Sequence, residues 1–185
     1  VRPLNLILGV WTCFLVSYLI DVHNFNRFVD LCIVLICYMS GANILNDLID
    51  IEIDRINKPY RFLVQHPINK LYIYIIIIIL FILGSWNALK LPLLAQQLVL
   101  FFILPSIILY EIIFKRLPLL GNIIISLLVG SVFIYTEASL TGQIVTTWKI
   151  FILAFILNLI REIIKDIQDI TGDDKNNFKT LPIVA

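Results

Sequence analysis

Charge is what this sequence has least of. Only 15% of its 185 residues are Asp, Glu, Lys or Arg, while 60% are hydrophobic and the mean hydropathy is +0.96. Soluble domains carry about 25% charged residues. A water-soluble fold of this length would have to hide far more apolar surface than its interior can hold. Ordinary soluble enzymes and disordered proteins are therefore excluded, and an integral membrane protein remains. Cysteine is scarce as well. Cys13, Cys32 and Cys37 lie in apolar stretches with no CxxC spacing, which excludes a disulfide scaffold and a thiolate metal site. His23 and His66 stand far apart without ligand spacing and are expected at the interfaces, as are Trp11, Trp86 and Trp148. The net charge of +1 does not discriminate, because placement matters more than sign. No nucleic-acid partner is expected.

A membrane-crossing helix needs about 20 mostly apolar residues. Leu4–Ile20, Leu71–Leu89, Leu91–Tyr110 and Leu117–Tyr135 are free of charge and near that length. Leu31–Leu45 is shorter, and Val145–Ile164 has an apolar centre at Ile150–Ile160 with charges at its end. Both of these run into acidic clusters, so their helices are expected to continue through them. The isoleucine run 75–79 favours strand in water, but in lipid the backbone must satisfy itself, which makes it helix. The fold class is all-α: a multi-pass bundle with six spans. Gly41 and Gly130 are expected to permit close helix packing, and Pro105 to kink the fourth span.

With the N-terminus on one side of the membrane, alternate crossings divide the basic residues unequally. Arg2, Arg55, Lys58, Arg61, Lys70, Lys115, Arg116, Arg161, Lys165, Lys175 and Lys179 fall on that side, and Arg27, Lys90 and Lys149 on the other. The positive-inside rule makes the richer side cytoplasmic. The acids divide the same way, with only Asp21, Asp30 and Glu137 opposite. A simple basic anchor would not also gather acids. The cytoplasmic face is therefore expected to hold a polar site of mixed charge.

Two acidic clusters carry that site. In Asn46-Asp47-Leu48-Ile49-Asp50-Ile51-Glu52-Ile53-Asp54, a continuous helix would put Asp47, Asp50 and Asp54 within about 100° of Asn46 and Glu52 on the far side. In the second cluster, Glu162, Asp166, Asp169 and Asp173 share a stripe about 60° wide if the helix runs past Gly172. Arg161 and Lys165 flank it. Like charges on one helix face repel and persist when a cation lies between them. Oxygen ligands suit Mg²⁺, which is commonly shared between carboxylates and substrate phosphates, and the neighbouring Lys and Arg suit the phosphate. The alternative is a pair of solvated acidic helix ends.

Asn46-Asp47-xx-Asp50-xxx-Asp54-Arg55-Ile-Asn57-Lys58-Pro59-Tyr60-Arg61 resembles the first motif of the UbiA-type intramembrane prenyltransferases. Arg161-Glu162-Ile-Ile-Lys165-Asp166-Ile-Gln-Asp169-Ile-Thr-Gly172-Asp173, followed by Lys179-Thr180-Leu181-Pro182, resembles their second. Arg2-Pro3-Leu4-Asn5 and Lys115-Arg116-xx-Leu-Leu-Gly121-Asn122 also fit. The form of the second motif is most like the branch that acts on geranylgeranylglycerol phosphate. The resemblance implies a helical bundle around a central cavity, capped on the cytoplasmic side by a polar region. It implies Mg²⁺ held by Asn46, Asp47, Asp50 and Asp54 and by Asp166, Asp169 and Asp173. Asp50, Asp54, Asp169, Asp173 and Lys165 are its candidate catalytic residues. Arg161 and Lys165, with Arg61, Lys115 and Arg116, are its candidates for holding diphosphate. The implied reaction is transfer of a polyprenyl group, geranylgeranyl for this branch, from its diphosphate to a lipophilic acceptor in the bilayer. The first choice of acceptor is geranylgeranylglyceryl phosphate, and an aromatic acceptor of quinone biosynthesis is the alternative.

Two other classes compete. A CDP-alcohol phosphotransferase would want Gly after its second Asp, where Ile51 follows Asp50. A transporter with a carboxylate ion site would place polar residues near the bilayer midplane, whereas here they crowd one end. The 185 residues form a single domain. It is expected to be truncated at the C-terminus, because the family carries about three more spans, and on its own to be weakly active.

Overall fold

The computed structural model describes residues 3–57, 59–66 and 68–175, apart from the side chains of Ile53, Ile56, Asn57, Arg116 and 169–175. Its helices are α1 (Pro3–Leu19), α2 (Phe25–Ile49), α3 (Ile51–Asn57), α4 (Phe62–Gln65), α5 (Lys70–Ala88), α6 (Leu93–Gln97), α7 (Leu104–Ile112), α8 (Leu120–Thr141) and α9 (Trp148–Lys175). A π-helical segment, Leu98–Ile103, joins α6 to α7, and a 3₁₀ turn, Phe114–Arg116, follows α7. Four stretches are long and apolar enough to cross a membrane: α2, α5, the run Leu93–Ile112, and α8. Apolar α1 is shorter, and α9 carries the second acidic cluster at its end. All six expected spans are thus helical. Only four meet the length and apolarity of a crossing by themselves.

The isoleucine run is helix, as lipid requires. Ile73 and Ile77, one turn apart, are buried against Leu45 and Leu48 of α2, while Ile75, Ile76, Ile78 and Ile79 point outward. Small residues set how close the helices come. A Cβ on Gly41 would lie 2.5 Å from the Phe81 ring, one on Gly84 2.5 Å from the Tyr38 ring, and one on Gly130 3.0 Å from Phe151. Gly41 and Gly84 therefore let α2 and α5 interlock, and the Tyr38 hydroxyl then reaches Ser85 Oγ at 2.9 Å. Gly130 does the same for α8 and α9. The larger core lies among α1, α2, the 93–112 run and α8, around Cys13, Leu31, Val34, Tyr38, Val99 and Tyr135. All three cysteines are free; Cys13 and Cys37 are buried and Cys32 is half-buried.

Three boundaries differ from expectation. Ahead of Pro105, where a kink is expected, the helix widens into a π-helical turn in which the Leu104 amide reaches back five residues to the Val99 carbonyl. Proline lacks an N–H and crowds the carbonyl four residues earlier, so a wider turn relieves both problems. The fifth span begins and ends later than Leu117–Tyr135. Pro118 and Leu119 (φ +62°) form a turn, and α8 then runs to Thr141. In its polar final turns the hydroxyls of Thr136, Ser139 and Thr141 are satisfied within the helix, each donating to the carbonyl four residues back. Finally, the first acidic cluster is not one straight helix. α2 ends at Ile49, with Asp50 at φ −87°, ψ 6° before α3 begins.

Cross-helix contacts show which ends lie together. Asn46 meets Glu111, Lys115 meets Asp50 and Asn122 meets Asp166 at one end of the bundle. Arg27 meets the Leu140 carbonyl and Lys90 meets Asp30 at the other.

Candidate functional site

The bend at Asp50 does not scatter the first cluster. The amides of Asp50 and Asp54 still reach back four residues, to Asn46 and Asp50, at 3.0 and 2.8 Å. Asp47 and Asp54 consequently face the same way, and one guanidinium serves both. Arg61, just after the α3 segment, donates to Asp47 Oδ1 at 3.0 Å and to Asp54 Oδ2. Asp54 is only 4% exposed, so this pairing is what makes its burial tolerable.

The other half of the cluster leans on α7. Asn46 donates to both Glu111 oxygens, at 3.1 and 3.3 Å. Lys115 pairs with Asp50 and lies 3.7 Å from Glu111, its neighbour one helical turn earlier. Four carboxyl groups thus share two cations, so the acids outnumber their partners two to one. The donors facing this site are oxygen, which is the chemistry a hard divalent ion such as Mg²⁺ accepts. Among the described residues no three His, Cys, Asp or Glu side chains gather about one point. Lys115 and Arg61 sit between the carboxylates and hold them in pairs.

The second cluster is organised by α8. Helix α9 continues through Gly172 to Lys175, so the stripe runs along one helix as far as its backbone is described. Glu162 is buried and takes Arg161 at 2.6 Å and Lys165 at 3.0 Å. Those two cations are more exposed than Arg61 and Lys115. Asp166 accepts from Asn122 Nδ2 at 2.8 Å. The side chains of Asp169, Asp173 and Arg116, and Arg2, Lys58 and Lys179, lie outside the described residues.

Among the described side chains, Glu162 and Asp166 make no hydrogen bond or ion pair with Asp47, Asp50 or Asp54. Tyr110 precedes Glu111 on α7, near enough to Asp50, Glu162 and Asp166 to feel the charge of both clusters. Sequence reading missed Tyr110 and gave Glu111 no role. The available signal was an acid ending an apolar span four residues before a lysine, the spacing of an ion pair on one helix.

This geometry can be set beside known proteins. The profile of the UbiA prenyltransferase family matches residues 6–185. Digeranylgeranylglyceryl phosphate synthase of Haloquadratum walsbyi is 37% identical over 147 residues, covering 78% of this chain and 51% of the relative. The enzyme of the same name from Methanothermobacter thermautotrophicus is 34% identical over 183 residues, covering 98% of this chain and 64% of the relative. The chain thus spans about half the length of the first and under two-thirds of the second. A solved structure of digeranylgeranylglyceryl phosphate synthase superposes with TM-score 0.84 at 29% identity, over 98% of this chain and 64% of that one. A UbiA homolog from Archaeoglobus fulgidus, solved with DMAPP and Mg²⁺, shares the fold with TM-score 0.75 at 22% identity, over 97% of this chain and 67% of that one. With the family profile spanning nearly every residue and both acidic clusters in place, this membrane-embedded chain belongs to the UbiA prenyltransferase family.

Proposed function

We propose that this chain carries the diphosphate-activating core of a Mg²⁺-dependent prenyltransferase. It moves a geranylgeranyl group from its diphosphate to geranylgeranylglyceryl phosphate and releases diphosphate. The observation that carries the reading is the convergence of Asn46, Asp47, Asp50 and Asp54 with Lys115 and Arg61 at the end of the bundle that also holds Asp166. The relatives named for this synthesis supply the choice of acceptor.

Asn46, Asp47, Asp50 and Asp54 from one side, and Asp166, Asp169 and Asp173 from the other, are the residues to hold the metal. Bound Mg²⁺ would neutralise the charge that builds on the departing diphosphate. Arg61 and Lys115 are poised to exchange a carboxylate partner for a phosphate one. Arg161 and Lys165 add two further cations on α9, and Arg116 is a third candidate. Preorganised cations of this kind act where charge develops. The allylic C–O bond breaks, and the acceptor's hydroxyl oxygen forms the new C–O bond and loses its proton. The apolar spans keep water from the cation in the interval.

The test is to supply labelled geranylgeranyl diphosphate to membranes bearing the full chain, with a panel of acceptors, and to identify the product by mass. An ether-linked glycerophosphate lipid is expected. A prenylated aromatic acid would overturn the choice of acceptor. Movement of label across the vesicle without any product would make the protein a transporter.

The same reading places the clusters in the cytoplasm. Ile68 is 42% exposed beside the start of α5, and the native cysteines lie within helices α1 and α2. Ile68→Cys is therefore expected to react with an impermeant thiol reagent only from the cytoplasmic side. Labelling from outside would reverse the orientation.

A further inference from the structure

The short connection from α7 to α8 touches both acidic clusters. Lys115, in its 3₁₀ turn, pairs with Asp50. Seven residues later Asn122, in the first turn of α8, donates to Asp166 Oδ2 at 2.8 Å. The connection between them is tight. Leu117 N donates to Phe114 O at 3.0 Å, Leu120 N to Pro118 O at 2.7 Å and Gly121 N to Leu117 O at 3.3 Å, with Leu119 at φ +62°. Gly121 is what lets this turn close. A Cβ there would sit 2.8 Å from the Phe114 carbonyl oxygen and 3.4 Å from Lys115 Cα. Backbone, unlike the tip of a side chain, cannot swing aside.

Asn122 is also locked in register along α8. Ser126 Oγ donates to the Asn122 carbonyl at 2.6 Å, and Asn158 Nδ2 of α9 donates to that same Ser126 oxygen at 3.2 Å. One turn further on, Gly130 lies against Phe151. Asn122–Asp166, Ser126–Asn158 and Gly130–Phe151 thus form three rungs between α8 and α9. The rungs fix the rotation of α9, and with it the direction in which its acidic stripe points. An ionised carboxylate only accepts hydrogen bonds, so the Asn122 amide must present its NH₂ to Asp166. That contact selects which Asp166 oxygen remains free.

We propose that Asn122 is a positioning residue for the second acidic cluster, and that the 113–122 turn, seated by Gly121, sets its spacing from the first. This rests on the metal-dependent reading above. The physics is that of an outer-shell partner, which orients a ligand without touching the metal.

The test uses the full chain in lipid nanodiscs and Mn²⁺ as a paramagnetic substitute for Mg²⁺. Binding is read by electron paramagnetic resonance in the presence of a non-reacting thiolo analogue of geranylgeranyl diphosphate. Asn122→Ala is expected to weaken Mn²⁺ binding about tenfold, the low end for outer-shell partners. In an Asp166→Ala background the same change is expected to add less than about twofold, because its route is already cut. Should Asn122→Ala not accumulate, Asn122→Ser carries the same two expectations. Unchanged affinity in the Asn122 variant, beside weakened affinity in Asp166→Ala, overturns the positioning role alone. So do two losses that simply multiply. A wild-type chain that binds no Mn²⁺ overturns the metal reading and the positioning role together, and an Asp166→Ala variant that binds it normally overturns the positioning role, which acts through Asp166.

Discussion

Asp50→Asn and Asp169→Asn are each expected to lower prenyl transfer by about 10²–10³-fold, the scale of losing one preorganised electrostatic contact to a transition state. Both substitutions keep the side chain's size and remove its charge. For Asp50 the structure explains why the protein should survive the change. Lys115 loses its closest partner but keeps Glu111 at 3.7 Å, and the packing of α2 on α5 through Gly41 and Gly84 is untouched. The variants should therefore insert and accumulate like the parent. Chelation should abolish transfer in the parent, and added Mg²⁺ should restore it. Transfer is measured as labelled lipid product per unit of membrane-inserted protein. Full turnover in excess chelator would end the metal reading. Parental turnover in both variants would reduce the two clusters to ion-paired helix ends.

The second large effect lies at the other end of the bundle and concerns stability. Glu137 is 3% exposed, and its carboxylate is the N-terminal cap of α9. Oε1 accepts from Thr146 N at 2.9 Å, and Oε2 accepts from Thr147 N at 2.8 Å and from Thr147 Oγ1 at 2.7 Å. Thr147, whose carbonyl accepts from Phe151 N at 2.8 Å, is the residue on which α9 starts, so the carboxylate ties down the chain at the entry to that helix. Nearby, Arg27 caps the end of α8 by donating to the Leu140 carbonyl at 2.8 Å, and Gly142 at φ +81° closes that helix. Glu137→Ala strips the two donors of buried Thr147 at about 1–3 kcal/mol each and that of exposed Thr146, which water can replace. A net loss of roughly 2–4 kcal/mol is expected from these unsatisfied neutral donors. Glu137→Gln keeps one accepting oxygen and should lose less. Unfolding in bicelles measures both. Metal binding should be unchanged, because 15 residues of α8, about 22 Å of helix, separate Glu137 from Asn122 at the acidic clusters. An Ala variant as stable as the parent would mean that the cap contributes nothing.

Much of the site was legible from the sequence, for a physical reason: helical periodicity and membrane exclusion are local rules. The apolar runs located all six helices, and alternation of crossings put both acidic clusters on one side. The 3.6-residue repeat put Asp47 and Asp54 on a common face, and a single arginine, Arg61, indeed reaches both. The form of the two motifs was likewise enough to reach the family that the profile shows.

What the repeat could not supply is everything that depends on which helix stands beside which. Asp50 and Lys115 are 65 positions apart, so their pairing exists only because α2 and α7 pack together. The same holds for Asn46 with Glu111 and for Asn122 with Asp166. A regular 3.6-residue repeat runs straight through Asp50, where the chain instead leaves the helix, and it gives no sign of the π-helical turn before Pro105. Glu137 read as one of three acids on the poorer side, and only the return of the chain at residues 142–147 turned it into a cap. Sequence alone determined the helices, their membrane setting and the carboxylate faces, because each follows from neighbours along the chain. Tertiary structure decided the partners of Asp50 and Asp166, because Lys115 and Asn122 come from other helices and reach them only where the helices pack closely at small residues such as Gly41, Gly84, Gly121 and Gly130.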